Sequence, residues 1–264
     1  MAKTKNGAKL WFIWPDTHFP EQDQEAVECA MKALITLKPH RSILLGDILD
    51  CGVFSAHSKR NIPDSLAYDF QEMELTPANN LVDMIQKNTM QHTYMLEGNH
   101  EARVEAWAVN NGRTAASVHN MVSPEKNISK GRKNFTWIPY SIPTGDRMGY
   151  VEIAKDLVAV HGWSHAKHAA ARHLDLSRSR SILHGHTHRA QMMCGRDPWT
   201  GHEIKAFSPG CLSKLQPLYM HGGTPTDWVH GIAIIYVGQN SWTEYIINIR
   251  KGYCVLPDGR EVKI

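Results

Sequence analysis

Five short stretches constrain this chain more than anything else in it: Asp16-Thr17-His18, Gly46-Asp47, Gly98-Asn99-His100-Glu101, His161-Gly162 and Gly185-His186-Thr187-His188. Each follows a short apolar run and places oxygen or nitrogen ligands where that run stops. A lone Asp or His at a strand end is commonly a cap or a turn former. Five such ends in one chain call for a fold that gathers strand ends in one place. The glycines remove side-chain bulk where the chain must turn sharply, leaving the backbone free to aim the neighbouring ligand. Asp16 and His18 are two residues apart, as are His186 and His188, so an extended chain points each pair to one side.

The segments between the stretches indicate which fold. Residues 10–14 read as a buried strand that stops at Pro15 and Asp16. Over 22–37 the apolar positions Ala26, Cys29, Ala30, Ala33, Leu34 and Leu37 keep a helical period that Pro39 ends. Residues 41–45 read as a second strand. Strand, helix, strand is a βαβ unit with a right-handed crossover. It sets Asp16 and Asp47 at the C-terminal ends of neighbouring strands, where ligands of open α/β sheets bind. The unit repeats, with a helix over about 65–88 that Pro77 divides and a strand over 93–96 leading to Gly98. A short helix follows Glu101 as far as Trp107. Residues 111–134, rich in Gly, Ser, Asn and Lys with little periodicity, read as an irregular surface segment and a candidate lid.

The second half is β-rich, with strands over 135–139, 149–154, 157–161, 181–184, 204–208, 229–237 and 242–249 and one helix over 164–174. No linker rich in Pro, Gly or Ser, no repeat and no low-complexity tract interrupts it, so residues 1–264 read as a single α/β domain. The C-terminal strands around Pro257-Asp258-Gly259 leave two uses open: covering a sheet edge, or pairing with a second copy in a homo-oligomer.

Composition enters as an exclusion. A chain of 264 residues, 42% apolar, buries a full core without disulfide or metal staples. No apolar run approaches the ~20 residues of a membrane span, so no membrane partner is expected. A net charge of +3 makes no strong electrostatic case for a dedicated nucleic-acid binder. The five cysteines include no CxxC pair, which argues against a disulfide framework and points to a reducing compartment. The N-terminal apolar stretch runs straight into charged residues without a cleavage site, so the expected location is cytoplasmic. The 16 histidines are an excess, and imidazole is the commonest metal ligand. Carboxylate, imidazole and amide oxygen together suit Mn, Fe, Zn or Ni better than calcium or a structural zinc site.

Taken in order, DTH, GD, GNHE, HG and GHTH over residues 16–188 resemble the motif series of the calcineurin-like metallophosphoesterases. The stretch His161-Gly162-Trp163-Ser164-His165 is also similar to compact members often encoded by phages, which implies the host cytoplasm. The resemblance implies a four-layer αββα sandwich holding two divalent metal ions, manganese favoured, with zinc, iron or nickel as alternatives. Asp47 would bridge both. Asp16, His18 and His188 would complete the first site, and Asn99, His161 and His186 the second. His100 would stand outside the metal shell as the general acid, while a hydroxide held between the cations attacks phosphorus in line.

The departures from the family bear on the substrate. The Ser/Thr protein phosphatases of the family read GDxxDRG and RGNHE, whereas here Cys51 follows Asp50 and Glu97 precedes Gly98. Both arginines are missing, which weakens the grip on a monoester dianion. The expected activity is therefore hydrolysis of a phosphodiester, in nucleic acid or a small nucleotide. A phosphomonoesterase and a catalytically silent metal-binding scaffold stand as alternatives. Arg103, His165 and His168 are candidate substrate contacts, Asp50 and His57 candidates for orienting the site, and His184 a candidate partner behind the ligands. Cys51 reads as an inert thiol. A nucleic-acid track would draw on Lys126, Lys130, Arg132 and Lys133 before Phe135 and Trp137, with Arg172, Arg178 and Arg180 elsewhere.

Overall fold

Alternation along the first strand builds two layers at once. In the computed structural model, which describes residues 7–55, 68–141, 148–177, 179–217 and 225–264, β1 (Lys9–Trp14) sends Leu10, Phe12 and Trp14 into one core and Trp11 and Ile13 into another. Successive strand side chains face opposite ways, so a strand buried on both faces must lie between two packed layers. β2 (Arg41–Leu44) and β10 (Gly231–Val237) divide in the same way: Leu44, Ile232 and Ile234 on one side, Ile43, Ala233 and Ile235 on the other.

The first sheet runs β11-β10-β1-β2-β3-β4, with β3 at His92–Leu96, β4 at Phe135–Ile138 and β11 at Trp242–Asn248. β1 through β4 are parallel neighbours in chain order, so the βαβ repeat holds. α1 (Gln24–Leu37) and α2 (Thr76–Asn88) cover the outer face. α1 is capped by Asp23, which accepts from the Ala26 N–H, and it ends at a left-handed Lys38 just before Pro39.

The second sheet runs β5-β6-β7-β9-β8, with β5 at Val151–Ala154, β6 at Leu157–Val160, β7 at Ser181–His184, β8 at Ala190–Arg196 and β9 at Glu203–Pro209. Its inner residues Leu157, Ala159, Leu183 and Phe207 meet Trp11, Ile13, Ile43 and Leu45 between the sheets. Its outer residues Val158, Val160, Ile182 and Ala206 pack with Ala170 of α6 (Ala169–Ser177). The order of layers is α, β, β, α, the sandwich expected. Among the described residues no helix is long and apolar enough to cross a membrane.

Four expectations need correcting. Residues 111–134 are not irregular: they form α4 (Gly112–Val122) and α5 (Pro124–Ser129), directly after α3 (Ala102–Asn110). Their period was invisible because α4 buries only Ala115, leaving no apolar stripe to read. Pro77 does not divide a helix; it sits in the first turn of α2, preceded by a π-helical turn at Gln71–Leu75, while 65–67 lie outside the described residues. The helix placed over 164–174 begins later, at Ala169, after a turn in which the Ser164 hydroxyl accepts from the Ala166 N–H. Strand β8 was missed because it lies at the sheet edge and is largely exposed, so neither alternation nor an apolar run marks it. The C-terminal strands β12 (Tyr253–Val255) and β13 (Glu261–Lys263) pair with each other, and Cys254, Leu256 and Val262 join the core that α1 lines.

Candidate metal centre

All five stretches lie just beyond the ends of parallel strands, three in the first sheet and two in the second. Asp16 and His18 follow β1, Asp47 follows β2, and Asn99 and His100 follow β3. His161 follows β6, and His186 and His188 follow β7. Because the sheets pack face to face, these ends meet at one rim of the sandwich. The turns are tight. A Cβ on Gly98 would lie 2.0 Å from Asp47 Oδ1, and one on Gly185 would lie 2.4 Å from Asp16 Oδ1. Four of the candidate ligands, His18, Asp47, His186 and His188, have φ between 49° and 68°, the left-handed region that side chains with a Cβ avoid. Such conformations persist only where the surroundings hold them.

Among the described residues three groups of side chains could hold a cation, and two of them match the expected ligands: Asp16, His18 and His188, and Asp47, His161 and His186; the third, His18, Asp50 and His100, shares His18 with the first. In the first, His18 Nε2 faces His188 Nε2 at 3.1 Å, and His188 Nε2 lies 3.3 Å from Asp16 Oδ2. In the second, His161 Nε2 lies 3.3 Å from Asp47 Oδ2 and 3.0 Å from Asn99 Oδ1. Ligand atoms about 2.0 to 2.1 Å from one tetrahedral cation stand roughly 3.3 Å apart, so these separations are those of donors sharing an ion. Asp16 Oδ1 and His186 Nδ1 are buried without a hydrogen-bond partner, the condition a cation relieves. The residues present fit divalent metal.

Outer contacts fix the ligands. His161 Nδ1 lies 2.8 Å from the Leu45 carbonyl, His18 Nδ1 lies 3.3 Å from Asp50 Oδ1, and His186 Nε2 lies 3.2 Å from His165 Nε2. The His186 N–H donates to Asp16 Oδ2 and the His100 N–H to Asp47 Oδ1, at 2.8 and 2.9 Å. Glu101, 1% exposed, accepts from the N–H groups of Asp47, Ile48, Leu49 and Gly98 and so ties two of the stretches together. Burial pushes its carboxyl up to about 7, Asp47 adding to the rise, although the Leu49 amide opposes it.

Electrostatics prepares most of the ligands. Burial works against ionising Asp47, but His161 and His100 outweigh it and hold its carboxyl well below the usual range. Burial, with His161 beside it, pulls His186 down to about 3, and burial with His100 lowers His18, so both rings are neutral and free to donate to a metal. Burial also acts downward on His161, but Asp47 overrides it and raises that ring to about 10.

The remaining candidates separate. Asp50 is at the site, its Oδ1 3.1 Å from His100 Nδ1 as well as 3.3 Å from His18 Nδ1. Arg103 is there too, within 2.9 and 2.8 Å of the two ring nitrogens of His100 and 3.2 Å from the Asp50 carbonyl. His165 reaches His186, whereas the exposed His168 side chain contacts none of the ligands. His184 is fully buried and stacks on His173 with ring centroids 4.0 Å apart, its Nδ1 on the Gly185 carbonyl, so it supports the turn and not a ligand. The Cys51 thiol is raised far above its ordinary value by burial and by Glu74. His57 and Arg178 lie outside the described residues. Of the basic track, Arg132 is committed to Asp83, Asn79 and the Ile128 carbonyl, Arg180 to Glu152 and Lys126 to Asn120. Phe135 and Trp137 pack against the core.

Sequence reasoning missed two acids. Glu101 stood in a quoted motif without a role. Glu74 carried a signal that could have found it, since residues 74, 78, 81 and 85 share one helical face and the other three are apolar.

No protein-family model and no curated protein matches the sequence. Among solved structures the chain is similar to Vps29 of Chaetomium thermophilum, with 14% identity and a TM-score of 0.47 over 96% of this chain and 92% of that one. It is also similar to wild-type Vps29 of Entamoeba histolytica complexed with zinc, with 10% identity and a TM-score of 0.46 over 96% and 98%. A third is YfcE, a phosphoesterase of E. coli, with 16% identity and a TM-score of 0.38 over 90% and 100%.

Proposed function

We propose that this chain is a calcineurin-like metallophosphoesterase that hydrolyses a phosphodiester with two divalent cations, manganese first among them. The observation that carries the reading is Asp47: its Oδ2 lies 3.3 Å from His161 Nε2 in its own cluster and 3.7 Å from His18 Nε2 of the other, so this carboxylate is within reach of a ligand of each. Asp16, His18 and His188 would hold one cation, Asn99, His161 and His186 the other, and Asp47 both. Such a pair would supply Lewis acidity toward phosphate oxygens and would make water a nucleophile at neutral pH.

The chain's own residues supply the rest. Asp16 and Asp47 bring negative charge to a site that must hold two cations close together. His100 stands outside both clusters, its Nε2 3.9 Å from Asp47 Oδ2, while its Nδ1 is held 2.7 Å from the Asp50 carbonyl. With Nδ1 engaged there, Nε2, which lies 2.8 Å from the Arg103 guanidinium, would give its proton to the leaving oxygen once that guanidinium turns to the substrate phosphate. Burial disfavours the charged ring and Arg103 opposes it too, but Asp47 and Asp50 outweigh them and raise the pKa of His100, which favours the acid form.

The charge count favours a diester. Among the described residues Arg103 alone supplies a guanidinium in contact with this cluster, which suits one phosphate charge better than the two of a monoester. With Arg132 and Arg180 committed elsewhere, a small diester is favoured over a long nucleic-acid track. Manganese-loaded protein should hydrolyse bis-p-nitrophenyl phosphate with a higher kcat/KM than p-nitrophenyl phosphate, lose that activity to a chelator and regain it with metal. Preference for the monoester would make the chain a phosphatase, and an inert metal-loaded protein would return it to a scaffold. Cleavage of single-stranded DNA that falls steeply with salt would replace the small diester by nucleic acid.

A further inference from the structure

The loop that carries Asp47 and Asp50 is suspended by its own backbone. The N–H groups of Asp47, Ile48 and Leu49 donate to Glu101, and that of Asp50 donates to the Phe19 carbonyl at 3.0 Å. The last, that of Cys51, donates to Glu74 Oε2 at 2.7 Å. Glu74 belongs to none of the ligand stretches. It is fully buried on the π-helical turn Gln71–Leu75, and its other oxygen accepts from the Tyr68 hydroxyl at 2.5 Å. Single π turns inside helices recur at functional sites.

The Glu74 bond meets the loop at its strained point. Cys51 has a φ of 49°, in the left-handed region, and such a residue needs outside support. Its turn decides where the preceding carboxylate goes. Asp50 Oδ1 meets His18 Nδ1 and His100 Nδ1, while Asp50 Oδ2 folds back so closely over Gly52 that a Cβ there would lie 2.7 Å away. Without the Glu74 acceptor, the Cys51 N–H would be buried and unpaired, and the backbone would relax away from the left-handed turn. The Asp50 carboxylate would then leave the two histidines.

We propose that Glu74 is a positioning residue for the Asp50–His100 pair, fixing the Cys51 turn from the π-helical segment so that Asp50 holds the acid histidine in register. The kinetic part of this rests on the phosphoesterase reading; the geometric part does not. The full chain is compared as wild type, Glu74→Ala, Glu74→Gln and Tyr68→Phe. Manganese-loaded protein is assayed on bis-p-nitrophenyl phosphate with metal content measured, and zinc-loaded protein is used for the ring nitrogen NMR signals of His100.

Glu74→Ala should lose at least about tenfold in kcat with KM within about twofold and metal content unchanged, as expected when an acid is misplaced and substrate binding is not. Glu74→Gln, whose amide oxygen still accepts from the Cys51 N–H, should recover most of that rate. Tyr68→Phe should lose a few-fold, and it keeps the test decisive if the alanine variant does not fold. Unchanged kcat in folded, loaded variants overturns the proposal, as does a loss of metal that accounts for the loss of rate. If wild type hydrolyses no ester, the phosphoesterase reading falls by itself. The His100 signals then decide: a shift in Glu74→Ala or Tyr68→Phe sustains the role, and unchanged signals end it.

Discussion

At the scale of single residues, one carboxylate gives two histidines different tasks. Asp47 Oδ2 is 3.3 Å from His161 Nε2 and 3.9 Å from His100 Nε2, yet His161 has a carbonyl behind it and Asn99 beside it, while His100 turns its other nitrogen to Asp50. On the proposed function the first would be a ligand and the second an acid. His100→Ala should therefore keep its metal while kcat on the diester falls by roughly 10² to 10⁴; full turnover in a loaded variant would remove the role. For His161 the sign follows from its raised value of about 10. A cation needs the neutral ring, so loading near pH 7 must displace a proton, and affinity must strengthen as pH rises. Calorimetric titration with manganese in buffers of different ionisation enthalpy should report release of about one proton or more. Equal affinity at pH 6 and pH 8 would contradict this.

At the scale of elements, the strand ends are rigid and the loops beyond them are held by buried acids. Burial pushes the Glu74 carboxyl up to about 8, against the bonds from Tyr68 and Cys51 and with Asp50 and Glu101 adding to the rise. The folded state thus binds this proton more tightly than the unfolded chain. The stability it contributes is complete below about pH 4.5 and is lost as pH rises through about 8. The stability of wild type relative to Glu74→Gln should fall across that window, with a limiting slope of about 1.4 kcal/mol per pH unit. Denaturant unfolding at several pH values measures it, and a flat difference would show that the carboxyl is not displaced. Elements whose pattern depends on burial were legible in the sequence. Trp11 and Ile13 alternate with Phe12 and Trp14 because each side meets a core, and α1 shows its stripe because one face is buried. α4 and β8 were not legible, since exposed surfaces impose no period.

At the scale of the whole molecule, the site joins the two sheets. Asp16, His18, Asp47 and Asn99 come from the first, His161, His186 and His188 from the second, so metal shared among them fastens one sheet to the other. Each site filled at a hundred times its Kd should contribute about 2.7 kcal/mol, and chelation should lower Tm by several degrees for a chain of this size; an unchanged Tm would mean that the metals do not bind the folded state. The gathering of the candidate ligands was legible because they terminate strands whose order is fixed by chain connectivity. The acids that hold them were not, because Glu74 and Glu101 act through backbone amides whose positions exist only in the folded chain. The central claim is that Asp47 belongs to both metal sites, and the metal content of wild type beside Asp47→Asn after equilibration with manganese tests it most directly. The account predicts about two ions per chain in wild type and fewer than one in the folded variant. An equal count in the two proteins, or none in wild type, would contradict it.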